Sequence, residues 1–244
     1  MARLGGFHVN IGSGNLASET REARDFDRVK LTGVGTVVIT QTGEESLTIE
    51  ADDNILPLLT SEVHGGELEL GMEHGAHVTP RAPIRFILTV KDLRGLSVSG
   101  AGDIELGGLK TDMLRLAISG TGALKTQEVS TGSLDVSISG AGSVSVGRLT
   151  ASEVDATISG TGSVKLAGHA ARQTVSIPGA GSYDAPELTS DQARVKVSGA
   201  GSARVNVRET LEARVSGIGS IHYAGQPQVQ RSVSGLGSIR PIKG

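Results

Sequence analysis

The stretch LRLAISGTGALKTQEVSTGSLDVSISGAGSVSVGRLTASEVDATISGTGSVKL, residues 114–166, decides the fold. It holds three Ser-Gly-x-Gly copies, whose first glycines are Gly120, Gly140 and Gly160. Outward from it, the same pattern recurs with first glycines at Gly100, Gly179, Gly199, Gly217 and Gly235. The steps between the eight are 20, 20, 20, 19, 20, 18 and 18 residues. A weaker relative, Thr32-Gly33-Val34-Gly35-Thr36, lies upstream.

Each glycine pair is preceded by strict alternation. Leu114, Leu116 and Ile118 alternate with Arg115, Ala117 and Ser119, and Leu134, Val136 and Ile138 with Asp135, Ser137 and Ser139. Period two is the mark of a strand with one buried face. A second apolar column follows the glycines: Ile104, Leu124, Val144, Val164, Tyr183, Ala203, Ile221 and Ile239. The residues after it are polar or charged, as at Glu105, Lys125, Lys165 and Arg204, and are expected in solvent.

A fixed repeat of about 20 residues, with equivalent residues at equivalent places, predicts an all-β, parallel β-helix of single coils. Each coil advances one strand spacing, about 4.8 Å, so that buried columns stack on themselves. The 20-residue period and six-position alternation favour a right-handed helix over the left-handed form with its six-residue period. Glycine is expected at the corners for two reasons: it accepts positive φ, and it lets one coil's backbone approach the next.

The organisation expected is a flexible lead-in or a capping strand over residues 1–23, irregular coils and a cap with one short helix over 24–92, and regular coils over 93–244. Strands are expected over Val29–Leu31, Thr36–Thr40, Ser46–Ala51 and Ile84–Val90. One short helix is expected over Asn54–Thr60 behind an Asp52 or Asp53 N-cap. Glu62–His64 and Glu67–Leu70 around Gly65-Gly66 read as a hairpin.

The combination of Phe26-Asp27-Arg28-Val29, Thr48-Ile49-Glu50-Ala51-Asp52-Asp53-Asn54 and serial glycine coils resembles the head GIN domain family of bacteria, described as auto-transporter adhesins. The resemblance runs over roughly Gly14 to Arg240 and implies a β-helical, non-enzymatic protein of the cell envelope or surface. It brings no catalytic or binding residue with it.

Composition narrows the rest. With 23 Lys and Arg against 26 Asp and Glu, the net charge of −3 gives no reason to expect a nucleic-acid partner. No cysteine is present, which removes disulfides and thiolate chemistry. No apolar run is long enough for a transmembrane helix. Met1–Asn10 lacks the apolar core of a secretory signal.

Sites of chemistry are hard to assemble. Gly-x-Gly cradles phosphate when it opens a helix, whereas here it opens a strand and no Gly-Lys-Ser/Thr follows. His74 and His77 beside Glu73 are two metal ligands where zinc needs three or four. Asp52-Asp53-Asn54 lacks the loop of a calcium site, and capping accounts for it. His169 is expected on an outward loop and His222 on an outward strand position. Of five aromatics, Tyr183 and Tyr223 fall in inward columns, leaving little for stacking sugars. No cofactor, metal or catalytic residue is predicted.

One surface feature remains. Outward positions before the glycines are small and mostly hydroxylic: Ser97, Ser99, Ser119, Ser137, Ser139, Thr157 and Ser159, with Ala117 among them. They form a candidate contact face, interrupted farther on by Lys196 and Arg214. Two main roles are open on these grounds. One is a structural or adhesive module meeting a surface glycan or protein. The other is a scaffold whose C-terminal coil or Ser/Thr face associates with another copy. Action on polysaccharides comes third.

Overall fold

The structure, a computed structural model, describes residues 9–242. Its N-terminal part holds β1 (Val9–Ile11), β2 (Leu16–Arg21), β3 (Arg28–Leu31), β4 (Thr36–Gln41), β5 (Ser46–Asp52), β6 (Leu59–His64), β7 (Glu67–Met72), β8 (His77–Thr79), β9 (Arg85–Val90) and β10 (Gly95–Val98). Six long strands follow: β11 (Asp103–Ile118), β12 (Ala123–Ile138), β13 (Ser143–Ile158), β14 (Ser163–Ile177), β15 (Ser182–Val197) and β16 (Ser202–Val215). The last coil is built from β17 (Ser220–Ala224), β18 (Gln228–Val233) and β19 (Ser238–Pro241).

The molecule is a β-solenoid of about 7 coils, with the repeat length read from the sequence. Successive long strands pair in parallel and in register, Ile118 on Ile138 and Ile138 on Ile158. The hydrogen-bond ladder runs on through the corners. Ser139 N donates to Ile118 O at 2.9 Å, Ala141 N to Gly120 O and Ser143 N to Gly122 O, both at 3.1 Å.

Each long strand is itself bent. In β12 the in–out alternation fails at Gln127-Glu128 and again at Gly132-Ser133, where two neighbouring residues both face outward. β13 repeats this at Gly147-Arg148 and Ser152-Glu153. With the glycine corner these breaks give a three-sided coil. Both apolar columns lie inside: Ile104 through Ile239 is buried throughout, as is Val98 through Val215. Val233, the last member of the Val98 column, is 46% exposed, because no further coil of the described residues covers it.

Close approach, rather than positive φ, explains the corner glycines. Only Gly35 and Gly235, in the first and last corners, have positive φ. A Cβ on Gly140 would meet Ser119 O at 2.7 Å and Gly120 O nearer still. The second glycine of each corner has its own neighbour. A Cβ on Gly142 would lie 2.5 Å from Ile118 Cγ2, and one on Gly162 2.6 Å from Ile138 Cγ2. The γ-methyl of one coil's β-branched column therefore occupies the space that the next coil's glycine leaves open.

The N-terminal coils are stacked out of chain order. β3 and β4 pair with β10 and β11 on one side and with β7 and β9 on the other. The outermost coil is thus the later segment, β7 to β9. Antiparallel strands close this end: β6 on β7, β5 on β9, and β2 on β5. β2 lies within the lead-in and pairs antiparallel with β5; residues 1–8 of that lead-in lie outside the described residues. The β6–β7 hairpin turns on Gly65 and Gly66, with φ of 57° and 79°, as a mirror-image turn requires.

The helix expected over Asn54–Thr60 is absent. A 3-10 turn covers only Leu56–Leu58, and no side chain caps it. Asp52 and Asp53 are engaged elsewhere. Asp52, fully buried, accepts from the backbone N–H groups of Gly14 (2.7 Å), Arg81 (2.9 Å) and Ala82 (3.0 Å). Asp53 accepts from Ser13 Oγ, and Asn54 Oδ1 from Ser13 N. The three side chains staple the Gly12–Asn15 segment to the cap.

The core also contains a polar chain that alternation does not announce. Tyr183 Oη donates to Gln173 Oε1 at 3.0 Å, and Gln173 Nε2 to Ser190 Oγ at 2.7 Å. Ser190 in turn donates to Asn206 O. All three side chains are fully buried, and each polar atom named has its partner. Burial pushes the Tyr183 phenol well above its ordinary pKa, so it remains a donor. Tyr223, expected in the core, is only half-buried near the open end.

Candidate functional site

The three-sided coil sets side chains of one register position in a straight row along the axis. One such outer row is Lys30, Ser97, Ala117, Ser137, Thr157, Ser176, Lys196 and Arg214. Two residues on, just before each corner glycine, stand Ser99, Ser119, Ser139 and Ser159, all exposed. The seven hydroxylic residues singled out from the sequence therefore lie together on one flat side.

A shallow depression of about 190 Å³ runs over Ser97, Ser99, Ala117, Ser119, Ser137 and Ser139. The small side chains leave the edges of Val98 and Ile118 at its floor. Ser159 Oγ donates to Ile138 O at 3.3 Å; the other six hydroxyls make no hydrogen bond to the described residues. Lys30, held by Glu69 at 3.0 Å, bounds the row at one end, and Lys196 and Arg214 bound it at the other. Such a surface offers hydroxyl donors and acceptors without long side chains to be ordered on contact.

A larger groove of about 720 Å³ was not foreseen. It lies over the later coils, lined among others by Arg172, Gln192, Arg194, Thr210, Glu212 and Gln228. Its charges are matched: Arg194 meets Glu212 at 2.8 Å, Arg214 meets it at 2.6 Å, and Arg172 meets Glu153 at 2.9 Å. The Arg194 hydrogen bond holds the Glu212 carboxyl below its ordinary pKa. The signal in the sequence is the succession of polar side chains at Thr174, Arg194, Glu212 and Gln230, which occupy one register row.

The remaining candidates are dispersed. His77 begins β8, paired with β1, while His74 sits in the preceding turn. His169 is exposed within β14, on a strand rather than a loop. Among the described residues, no three His, Cys, Asp or Glu side chains converge as a metal site would require. No helix of the described residues is long and apolar enough to cross a membrane.

Comparison with known proteins agrees with this architecture. A protein from Parabacteroides merdae, described as a "putative adhesin", superposes with a TM-score of 0.91 at 27% identity, over 96% of this chain and 99% of that one. A second "putative adhesin", from Parabacteroides distasonis, gives 0.90 at 27%, over 96% and 100%. A "putative lipid binding protein" of Parabacteroides distasonis shares the fold at 0.92 and 21% identity, over 97% and 100%. None of the curated proteins matches the chain. The family described as "Putative auto-transporter adhesin, head GIN domain" matches residues 25–227, and the chain belongs to it.

Proposed function

We propose that this protein is a non-enzymatic adhesive module of the bacterial cell envelope. It is a rigid rod that presents the flat Ser/Thr side, from Ser97 to Ser159, to a protein or glycan on another surface. The observation that carries the reading is the register itself: Ser97, Ser137 and Thr157 stay in one row because β10 to β13 pair without a register shift. A surface so held meets a partner with little ordering cost. Membership of an adhesin family supports the same reading.

Stacking of coils end to end into filaments, the alternative, has Arg231 against it. Its register partner is Ala213, which is fully buried in the core column, so a further coil would bury the guanidinium. Action on polysaccharides finds no support in the aromatics, since Tyr183 is committed to the core.

The test is binding to arrayed glycans and to immobilised surface proteins. The triple variant Ser119→Arg, Ser137→Arg, Ser139→Arg should lose at least about tenfold in affinity, since long charged side chains would stand between the surfaces. Lys165→Ser, away from that side, should bind normally. Equal binding by the triple variant and the native chain would remove the Ser/Thr side from the proposal.

A further inference from the structure

The last two corners differ from the six before them, and from the first, where Val34 between its glycines packs partly against the core. The residue between the corner glycines is Ala101, Thr121, Ala141, Thr161, Ala180 and Ala200, then Ile218 and Leu236. Ile218 is 66% exposed and Leu236 88%. The pairings Val215 to Val233 and Ser220 to Ser238 bracket them, so one stands directly over the other. Val233, half exposed, adjoins them on the final coil. Single exposed apolar residues are ordinary, but a stacked group of large ones at one tip of a molecule marks a contact.

Charge says what kind of contact. All 26 acidic side chains lie at or before Glu212. Beyond it come Arg214, Arg231, Arg240 and Lys243, and no carboxylate side chain. Arg214 is paired with Glu212; Arg231 and Arg240 are exposed and form no ion pair among the described residues. The tip is thus basic on a protein whose net charge is −3. A second copy placed tip to tip would bring these arginines together. A surface of phosphate groups over an apolar layer matches both halves of the pattern.

We propose that the C-terminal tip docks on an anionic phospholipid surface. Ile218, Val233 and Leu236 enter the boundary between headgroups and acyl chains, while Arg231 and Arg240 lie against the phosphates, which guanidinium groups bind well. The rod then stands on the membrane with its capped N-terminal end held away. The inference does not depend on the adhesive reading, and lipid binding is measured separately from it.

The test is co-sedimentation of the full chain with vesicles of equimolar phosphatidylglycerol and phosphatidylcholine, and with vesicles of phosphatidylcholine alone. The native chain should bind the first much more strongly. The double variant Ile218→Ser, Leu236→Ser should weaken binding by about tenfold or more. Arg231→Gln and Arg240→Gln should each weaken it about fivefold, that being the usual share of one basic side chain near an anionic surface. Met113→Ser, which removes an apolar side chain 58% exposed in the middle of the rod, should change nothing. Native melting temperatures confirm that the variants fold. Failure of the native chain to bind anionic vesicles overturns the proposal, as does undiminished binding by the double variant. Light scattering showing a native dimer that Leu236→Ser dissociates would assign the tip to a second copy instead.

Discussion

At Gly140 a single hydrogen atom separates a stacked coil from a broken one. Its missing Cβ is space held by the carbonyl groups of Ser119 and Gly120 one coil below. Gly140→Val must push the two coils apart and disturb the ladder bonds on both sides. Overpacking of this kind costs about 3 kcal/mol or more, or roughly 6–12 °C in melting temperature for a chain of this size. Lys165→Ser, at an exposed position, should stay within about 0.5 kcal/mol of native. Thermal melts of the two variants decide it, and similar shifts would refute close approach as the reason for these glycines. The glycine positions were legible in the sequence because the repeat is local and regular. Which of glycine's two properties mattered was not legible, since φ depends on the path of the neighbouring coil.

Among elements, the cap shows where local reading gives way. Asp52-Asp53-Asn54 before a leucine-rich segment has the composition of a helix start. The same side chains bind better to N–H groups brought from distant parts of the chain, Gly14 on one side and Arg81 and Ala82 on the other. Sequence spacing carries no trace of that meeting. Burial acts to raise the Asp52 pKa, and the donated N–H groups outweigh it, so the carboxyl is held below its ordinary 3.8. The sign follows. A carboxylate with a lowered folded pKa contributes stability that is full above its unfolded value and lost as pH falls through the folded one. Asp52→Asn should therefore melt at a lower temperature than the native chain at pH 7. The gap should narrow as pH is lowered below about 4. A gap unchanged across that range would mean that the charge of Asp52 is not what binds the cap. The strands β3, β4, β5 and β9, by contrast, were legible nearly to the residue, whereas the short strands expected after the glycines run on as parts of single long strands. What escaped was their bending, because doubled outward residues such as Gln127-Glu128 differ little from a loop in composition.

For the molecule as a whole, equal coils imply interchangeable ones. Each long strand meets its neighbours above and below, and stability is close to a sum of coil terms and interface terms. Deleting residues 139–158 joins Ile138 to Ser159 and leaves the corner sequence, the Ser/Thr rows and the alternation intact. The shortened chain should fold with an unchanged circular dichroism signature and be about 5 Å shorter by small-angle scattering. Loss of cooperative unfolding in that variant would show that the coils are not equivalent. The polar chain through Tyr183, Gln173 and Ser190 lies outside the deleted segment, so this unusual part of the core is kept. The large groove over the later coils depends on the same global feature. Its residues come from successive coils, and the register, shortened from 20 to 18 residues after Arg194, brings Thr174, Arg194, Glu212 and Gln230 into one row.

The reversed order of the first two coils bears on how the chain acquires its shape as it emerges. A solenoid stacked in chain order could begin at its first coil and add each turn as it is released. Here β3 and β4 have no outer neighbour until β7 and β9 arrive, with Arg28 waiting for Glu67 and Thr36 for Arg85. Closing those separations costs loop entropy before it is repaid in buried surface, so this end is expected to form slowly. In a chain released from its N-terminus, β3 and β4 are expected to lack their outer partners until about residue 90 is free. A coil that has formed offers its unpaired strands as the template for the next one in the chain.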